Sequence, residues 1–578
     1  MKKSLLAGAA FVALGTTNCA FAANAATAEA APSADAPVEE ILVLGRGEAR
    51  QTQTLIAEDL KIEPPGTSPI KLVERLPGVA VSGADSFGAY EWAVRINIRG
   101  FNQNQLGFTL DGVPLGDMSY GNNNGLHISR ALISEDLSRV ELAQGSGALD
   151  VAAANNLGGA LKFFSRDPSK ETSLDLAGTY GSDSTYRGYG RFESGEINPW
   201  GTRFYGSYVL HRADKWKGEG QQDQNQFAVK LVQPLGKADL TFYFNHSNRA
   251  EQDYQDLSLG MIDRLGYRWD NFGYGQYAFA NRIADIAHNR GDTGQPVTNA
   301  AAGTTYPAPI QTADDAYLDA SGLRKDDLAY VKFDAEAASW LSFSLQGYLH
   351  KNEGQGLWGT PYRISPFATL AGATVGNAPL SIRTTEYDID RRGFVGSATI
   401  DLPFSNTLRG GVWLENNNFT QARRFYALDR SAPNRFFDDF QRDPFFTQWA
   451  YAFDTDTLVF FVENSWRPTD RLRITAGFKN VDVDNAVRTL TINNSAPTPG
   501  ADSNLTGSIG TDKNFLPQVG VNYQLSDDVE LFAAYSKNVS AFVSSATSGP
   551  FSSRSQANVN EVRATLSPET SQTFEGGA

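Results

Sequence analysis

The side chains able to do chemistry are few and scattered. Five histidines, His127, His211, His246, His288 and His350, stand far apart without metal-ligand spacing. Each reads as an isolated polar residue, because metal sites draw on ligands at short, recurring separations. No glycine-x-serine-x-glycine turn occurs, and His246-Ser247 has no acid beside it, so no nucleophile elbow or catalytic triad is expected. The one cysteine, Cys19, lies in an N-terminal stretch that reads as a removable leader. Without it there is no thiol for disulfide, redox or cysteine-metal chemistry. Neither an enzyme nor a resident cofactor or metal is expected.

What remains is binding chemistry. Tyr254, Tyr267, Trp269, Phe272, Tyr274, Tyr277, Trp358 and Tyr362 sit in long connections, where rings can stack on a planar or sugar-like ligand. Arg264, Arg268 and Arg282 lie among them and would offer charge to an anionic one. Arg268, Trp269, Tyr274 and Trp358 are the candidates taken from this set. The other reading is that these rings pack on one another and only hold the loops together. A second binding feature is Glu39-Glu40-Ile41-Leu42-Val43-Leu44-Gly45, an apolar run between two loose segments. Such a strand without a local partner is suited to pairing with another chain's sheet edge; the alternative is the first strand of the domain that follows.

The elements that must position these residues are strands. From Ser173 onward the periodicity is two: Leu240, Phe242 and Phe244 alternate with Thr241, Tyr243 and Asn245, and Leu341, Phe343 and Leu345 with Ser342, Ser344 and Gln346. One face is greasy and the other wet, as in a sandwich or a membrane barrel. Connection lengths separate the two. Short turns at 198–201, 233–236, 338–340, 402–405, 467–470 and 525–528 alternate strictly with long connections at 212–224, 248–327, 351–390, 420–455, 484–513 and 541–567. An outer-membrane barrel has this asymmetry, with short periplasmic turns and long outer loops. The map gives about fourteen strands, the last beginning near Gln572. Trp200, Phe404, Trp466 and Tyr523 sit beside short turns, as an interfacial aromatic girdle would.

Composition agrees. The 578 residues include 54 glycines, 22 tyrosines and 35 phenylalanines, with a mean hydropathy of −0.34. The formal charge of −15 argues against nucleic acid, which needs a basic face. Beyond the N-terminus no run of about 18 apolar residues appears, so a helical inner-membrane protein is excluded. Lys2 and Lys3, the apolar run 5–14 and Ala20-Phe21-Ala22 read as a secretory signal over 1–22. The alanine-rich stretch after it, within 23–50, should stay flexible.

Ahead of the strands lies a small mixed domain, expected over 51–168. Ser68 is placed to cap a short helix with Pro69 at its first position and Pro77-Gly78 as its stop, and Ile70, Val73 and Leu76 share one face. Asp111-Gly112, between alternating apolar residues, is a hairpin signal. The order of Ile98-Arg99-Gly100-Phe101, Asp111-Gly112-Val113-Pro114, Val140-Glu141-Leu142 and Gly158-Gly159-Ala160 resembles the plug domain of TonB-dependent outer-membrane receptors. One departure stands out: where that family usually carries arginine-glycine-proline after the glutamate strand, this chain has Gln144-Gly145-Ser146.

The resemblance implies an all-β transmembrane barrel, 169–578, with the α+β plug inside it. It also implies about 22 strands, so a chain with about fourteen is expected to be C-terminally truncated. Glu40, Ile41, Leu42, Val43 and Leu44 would form the TonB box, within 39–45. Only about fifteen residues separate it from the leader, fewer than the roughly 50 of an independent domain, so no N-terminal signalling domain is expected. Tyr90, Trp92, Tyr120, Asn122 and Asn123, on loops that would face the outer vestibule, become candidates for substrate contact. The implied function is active import, of a ferric siderophore or similar chelate by default, with oligosaccharides and cobalamin as other cargoes. TonB with its inner-membrane proton-driven complex and outer-membrane lipid would be the partners. A passive porin or adhesin is the rival, but it explains neither the domain before the barrel nor the detached strand.

Overall fold

The structure, a computed structural model, describes residues 52–56, 62–116, 125–144, 149–370 and 372–578. The expected leader, the segment with Glu40 to Leu44, Gly145 and Ser146, and the candidates Tyr120, Asn122 and Asn123 lie outside the described residues.

Eight short strands come first: β1 (Thr52–Ile56), β2 (Val79–Ser82), β3 (Arg95–Ile98), β4 (Phe101–Asn102), β5 (Gly107–Leu110), β6 (Val113–Pro114), β7 (Leu137–Gln144) and β8 (Gly159–Ser165). They form a five-stranded sheet in the order β1-β7-β8-β5-β6 and a three-stranded sheet β2-β3-β4. Leu110 pairs with Val113, so Asp111 and Gly112, at φ of 51° and 94°, are the two residues of a tight hairpin turn that needs positive φ at both. The Ser68 hydroxyl accepts the Ile70 N–H at the start of helix Pro69–Leu72. Ile70, Val73 and Leu76 are buried together in the plug core with Ile98, Phe108, Leu142 and Phe163. At the glycine pair, a Cβ on Gly158 would come within 2.4 Å of Phe101, so close packing dictates the small residue there.

The wall then follows as β9 (Thr172–Tyr180), β10 (Tyr186–Ser194), β11 (Arg203–Asp214), β12 (Gln221–Pro234), β13 (Ala238–Gln252), β14 (Leu318–Ala338) and β15 (Leu341–Thr360). A small hairpin, β16 (Ala368–Leu370) and β17 (Ala373–Val375), interrupts it. It resumes with β18 (Asn377–Leu402), β19 (Asn406–Asp429), β20 (Phe446–Thr469), β21 (Leu472–Ile492), β22 (Thr506–Gln524), β23 (Glu530–Ser540) and β24 (Glu569–Gly577). Without β16 and β17, these are 14 strands in one sheet, each antiparallel to the next, and β9 and β24 at its two ends do not pair with each other. No described helix is long and apolar enough to cross a membrane.

Polarity decides between sandwich and barrel. Thr241, Tyr243, Asn245 and Gln346 are buried, whereas Phe242, Leu345, Leu349, Leu458 and Phe460 are exposed. A water-soluble pair of sheets would do the reverse. Here the greasy face looks outward and the polar face closes on the plug, as lipid demands. On β19 and β20 the outward apolar run extends to the pair Leu414 and Leu458; the next outward pair is Asn416 and Asp456. Trp200 and Phe404, 73% and 89% exposed, stand at the short-turn end.

Every expected turn and long connection separates strands where the pattern places it. The connections are shorter than expected, because the strands rise beyond the lipid. Residues 377–390 and 420–429, read as loop, are strand. Above the membrane the outward positions turn polar, so no outward greasy stripe announces them.

The plug is fastened to the inner wall by polar contacts. Asp136 accepts hydrogen bonds from the Tyr189 hydroxyl (2.7 Å), Arg191 Nη1 (2.9 Å) and the Ser207 hydroxyl. Arg130, fully buried, pairs with Glu91 of the plug and Asp326 of β14. Lys479 Nζ donates to the Val151 and Ala153 carbonyls, both at 2.9 Å. Removing one member of such a buried set leaves its partners without compensation, at roughly 3–5 kcal/mol. Asp136→Ala is therefore expected to loosen plug docking by about that amount. Urea titration with limited proteolysis measures it: the plug of the variant should become cleavable at a lower urea concentration, and an unchanged midpoint would refute the docking role.

Candidate functional site

A transmembrane strand needs about 9–11 residues. In β19, which starts at Asn406, the spanning part therefore ends near Asn416, and Arg423 stands above it. At this level the wall, the long connections and plug loop 83–94 converge. The plug loop is held by Asp85, whose carboxylate accepts the backbone N–H groups of Phe87, Ala89 and Tyr90 at 2.8–3.0 Å.

The aromatic candidates divide into three groups. Trp269, Phe272, Tyr274 and Tyr277 belong to the core of the long connection 253–317, packed with Ile283, Leu318, Leu357, Ile382 and Phe437. The Trp269 indole N–H donates to the Asp315 carbonyl, and the Tyr274 hydroxyl accepts the Phe437 N–H. For these residues the structure gives self-packing. Helix Tyr277–Arg290 carries that core, with Ala280, Ile283, Ala284 and Ala287 on its buried side. Arg268 and Arg282 are exposed on this connection, and Arg264 is engaged by Asp315.

A second group surrounds Tyr90. This residue is buried, donates its hydroxyl to Asp253 at 2.8 Å and meets Tyr254 edge-on at 5.3 Å. Trp216 lies between Tyr254 and Tyr267, at 5.9 and 5.6 Å. Trp216, in the connection 212–224, is not among the sequence candidates, and Tyr362 hydrogen-bonds Asp314 elsewhere.

The third group joins Trp92 of the plug to Trp358 of the wall, 6.3 Å apart and inclined at 63°. Around it the wall presents arginines. Arg383 covers the Trp358 ring at 5.0 Å, Arg324 covers Tyr387 at 4.9 Å, and Arg423 and Arg554 flank Trp449 at 5.2 and 5.7 Å. Register explains the assembly, since Trp358 pairs with Arg383, Thr385 with Arg423 and Arg423 with Trp449 across four neighbouring strands. The sequence reading missed these arginines. Thr385, Tyr387 and Ile389 do alternate, and extending that alternation back to Arg383 would have found one of them.

The plug motif has structural work. Asp111 accepts the Ser165 N–H (2.9 Å) and hydroxyl and the Tyr330 hydroxyl (2.9 Å), tying the turn to β14. Arg99, at φ 50° before Gly100, contacts Glu575 of β24. The histidines are dispersed: His127 caps helix Ile128–Ala131, His350 meets Asp326 and His246 meets Asp327.

Comparison with known proteins accounts for this arrangement. The family model of the TonB-dependent receptor plug domain matches residues 46–160, and that of the TonB-dependent receptor-like β-barrel matches 267–578, more than half of the chain. The chain belongs to the TonB-dependent receptor family. This is a family of receptors and transporters whose barrels lie in the outer membrane. Among solved structures, the chain is similar to the ferric yersiniabactin uptake receptor FyuA from Yersinia pestis, at 13% identity and a TM-score of 0.55, over 86% of this chain and 66% of that one. It is similar to the unliganded ferric citrate transporter FecA, at 13% identity and a TM-score of 0.61, over 93% and 68%. It is also similar to the ferripyoverdine receptor of the Pseudomonas aeruginosa outer membrane, at 15% identity and a TM-score of 0.57, over 86% and 59%. The chain thus spans about two thirds or less of the length of these structures, and the likeness concerns the fold. Comparison with curated protein sequences gave no match.

The loop core has its own charge anchor. Burial works to raise the Asp315 pKa, but two N–H groups of Arg264 (2.7 and 2.9 Å) and the backbone N–H groups of Gln311 and Thr312 hold it below the ordinary aspartate value. A carboxylate with a depressed folded pKa adds stability above its unfolded pKa and loses it as the pH falls through the folded value. Acidification below about pH 4 should therefore release the connection. Hydrogen exchange of 264–316 tests this: protection should fall with pH in that range, and Asp315→Asn should lower protection about tenfold at neutral pH and flatten the dependence. Equal protection in both proteins at every pH would rule the anchor out.

Proposed function

We propose that this receptor sits in the bacterial outer membrane and imports a scarce nutrient, a ferric siderophore or similar chelate, by energy transmitted through TonB. The observation that carries the reading is the stoppered lumen. Asp136, Arg130, Asp111 and Lys479 fasten the plug to strands β10, β11, β14 and β21. A passive porin needs an open polar channel, so solute passage here requires the plug to move. Buried polar contacts suit that demand, because hydrogen bonds and ion pairs can be exchanged for water when the plug shifts, whereas an apolar seal could not be.

The iron-chelate cargo is supported by the three similar structures, each described as a receptor or transporter for a ferric compound. Glu40, Ile41, Leu42, Val43 and Leu44 are assigned to TonB binding by strand addition, and 1–22 to the export signal. Trp92 and Trp358 are assigned to cargo contact. Ile41→Pro removes a backbone donor from the added strand, so energised uptake of the radiolabelled cargo should fall to the level of a strain lacking TonB, while outer-membrane assembly stays intact. Uptake at the original rate would favour a passive pore. A growth screen of a deletion strain on candidate chelates and glycans names the cargo.

A further inference from the structure

The chain carries a net charge of −15, yet the chamber above the plug gathers four arginines. Arg324, Arg383 and Arg423 project inward from β14, β18 and β19, and Arg554 reaches in from the connection between β23 and β24. Among the described residues, Arg324, Arg423 and Arg554 form no ion pair. Arg383 and Arg554 are the charged groups that act most on Arg423, and both carry its own sign. Asp253 is the carboxylate acting on Arg324, and its oxygen already accepts the Tyr90 hydroxyl.

The hydrogen-bond inventory points the same way. Arg324 Nε, Arg423 Nε and the indole N–H of Trp449 are buried without an acceptor among the described residues. All three are donors. Trp449 is 3% exposed and lies between two guanidinium groups. Unmet buried donors and crowded like charges are both unfavourable, and a single arriving group rich in acceptor oxygens relieves both.

We propose that the vestibule takes a polyanionic cargo, one presenting at least two carboxylate, phosphate or similarly charged oxygen groups to Arg324, Arg383, Arg423 and Arg554, with a flat face against Trp358. The assignment rests on the import reading and narrows it to cargo of one charge. Arg423 and Arg554 bind and orient that charge, and the rings exclude water around it, which strengthens the attraction.

The rings supply the readout. Tryptophan fluorescence of the purified receptor in detergent is titrated with an anionic ferric citrate complex, an anionic ferric tris-catecholate, a neutral ferric trihydroxamate and the iron-free polyanion oligogalacturonate. At least one anionic probe should quench the signal, with an affinity that declines between about 50 and about 500 mM salt. Arg423→Gln should weaken it about tenfold or more, and Arg554→Gln, on a connection outside the wall, should weaken it with the barrel's circular dichroism unchanged. Tighter binding of the neutral trihydroxamate than of every anion, no binding of any anion, or unaltered affinity in both variants would overturn the proposal. Oligogalacturonate binding that depends on Arg423, without binding of either anionic iron complex, would keep the anionic cargo and remove the iron reading.

Discussion

A sheet immersed in hydrocarbon has to turn its apolar side chains outward and satisfy its backbone within the sheet. Everything else in this molecule follows from that inversion. Once Phe242, Leu345, Leu458 and Phe460 face lipid, the inner face is left with Arg191, Lys230, Asn245, Asp326, His350 and Lys479, all buried. Such an interior is unfavourable if it is dry and unpaired, and it is a channel if it is wet. The plug resolves this by presenting polar groups at matching positions. The carbonyls of Ser129, Arg130 and Ala131 accept from Gln224, Asn245 and Tyr243. Its apolar core, around Ile70, Ile98, Phe108 and Leu142, continues into wall residues such as Tyr189, Val209, Tyr243 and Leu328. The plug is thus a conventional small fold inside an inside-out container.

Several of these features were legible in the residues because they rest on local chemistry. Asp111-Gly112 specifies its turn through positive φ, Ser68-Pro69 specifies a helix start, and the turns around Pro199, Pro403 and Pro468 mark the short-turn end of the wall. The greasy stripes of β13 and β15 give their facing directly. The sheet's 14 strands match the count obtained from connection lengths. The upper strands escaped for a physical reason: where lipid ends, the outward positions become Asp388, Asp390, Asn416, Asn418, Asp454 and Asp456, and a strand without an outward apolar stripe reads as loop.

The candidate site was legible only in part. Trp92 and Trp358 do meet, but Trp269, Tyr274 and Tyr277 are taken up in the core of their own connection. Nothing in a single sequence separates a ring that waits for a ligand from one that packs on Ile283 and Leu318. The arginine group is a product of register. Thr385, Arg423 and Trp449 are far apart in sequence and neighbours only because two long antiparallel ladders keep step from the short turns upward. Arg554 enters from a connection whose path no periodicity reveals.

The place of β1 carries a mechanical meaning. It is the outermost strand of the plug's five-stranded sheet and pairs only with β7, through five residue pairs from Thr52 opposite Ala143 to Ile56 opposite Arg139. Any tension entering along the chain ahead of Thr52 is carried first by that short ladder, while the turn at Asp111 and the clasp at Asp136 lie further along the load path. The domain therefore has a weak link at the end where a puller would grip, and it would yield from one edge while the rest still plugs the lumen.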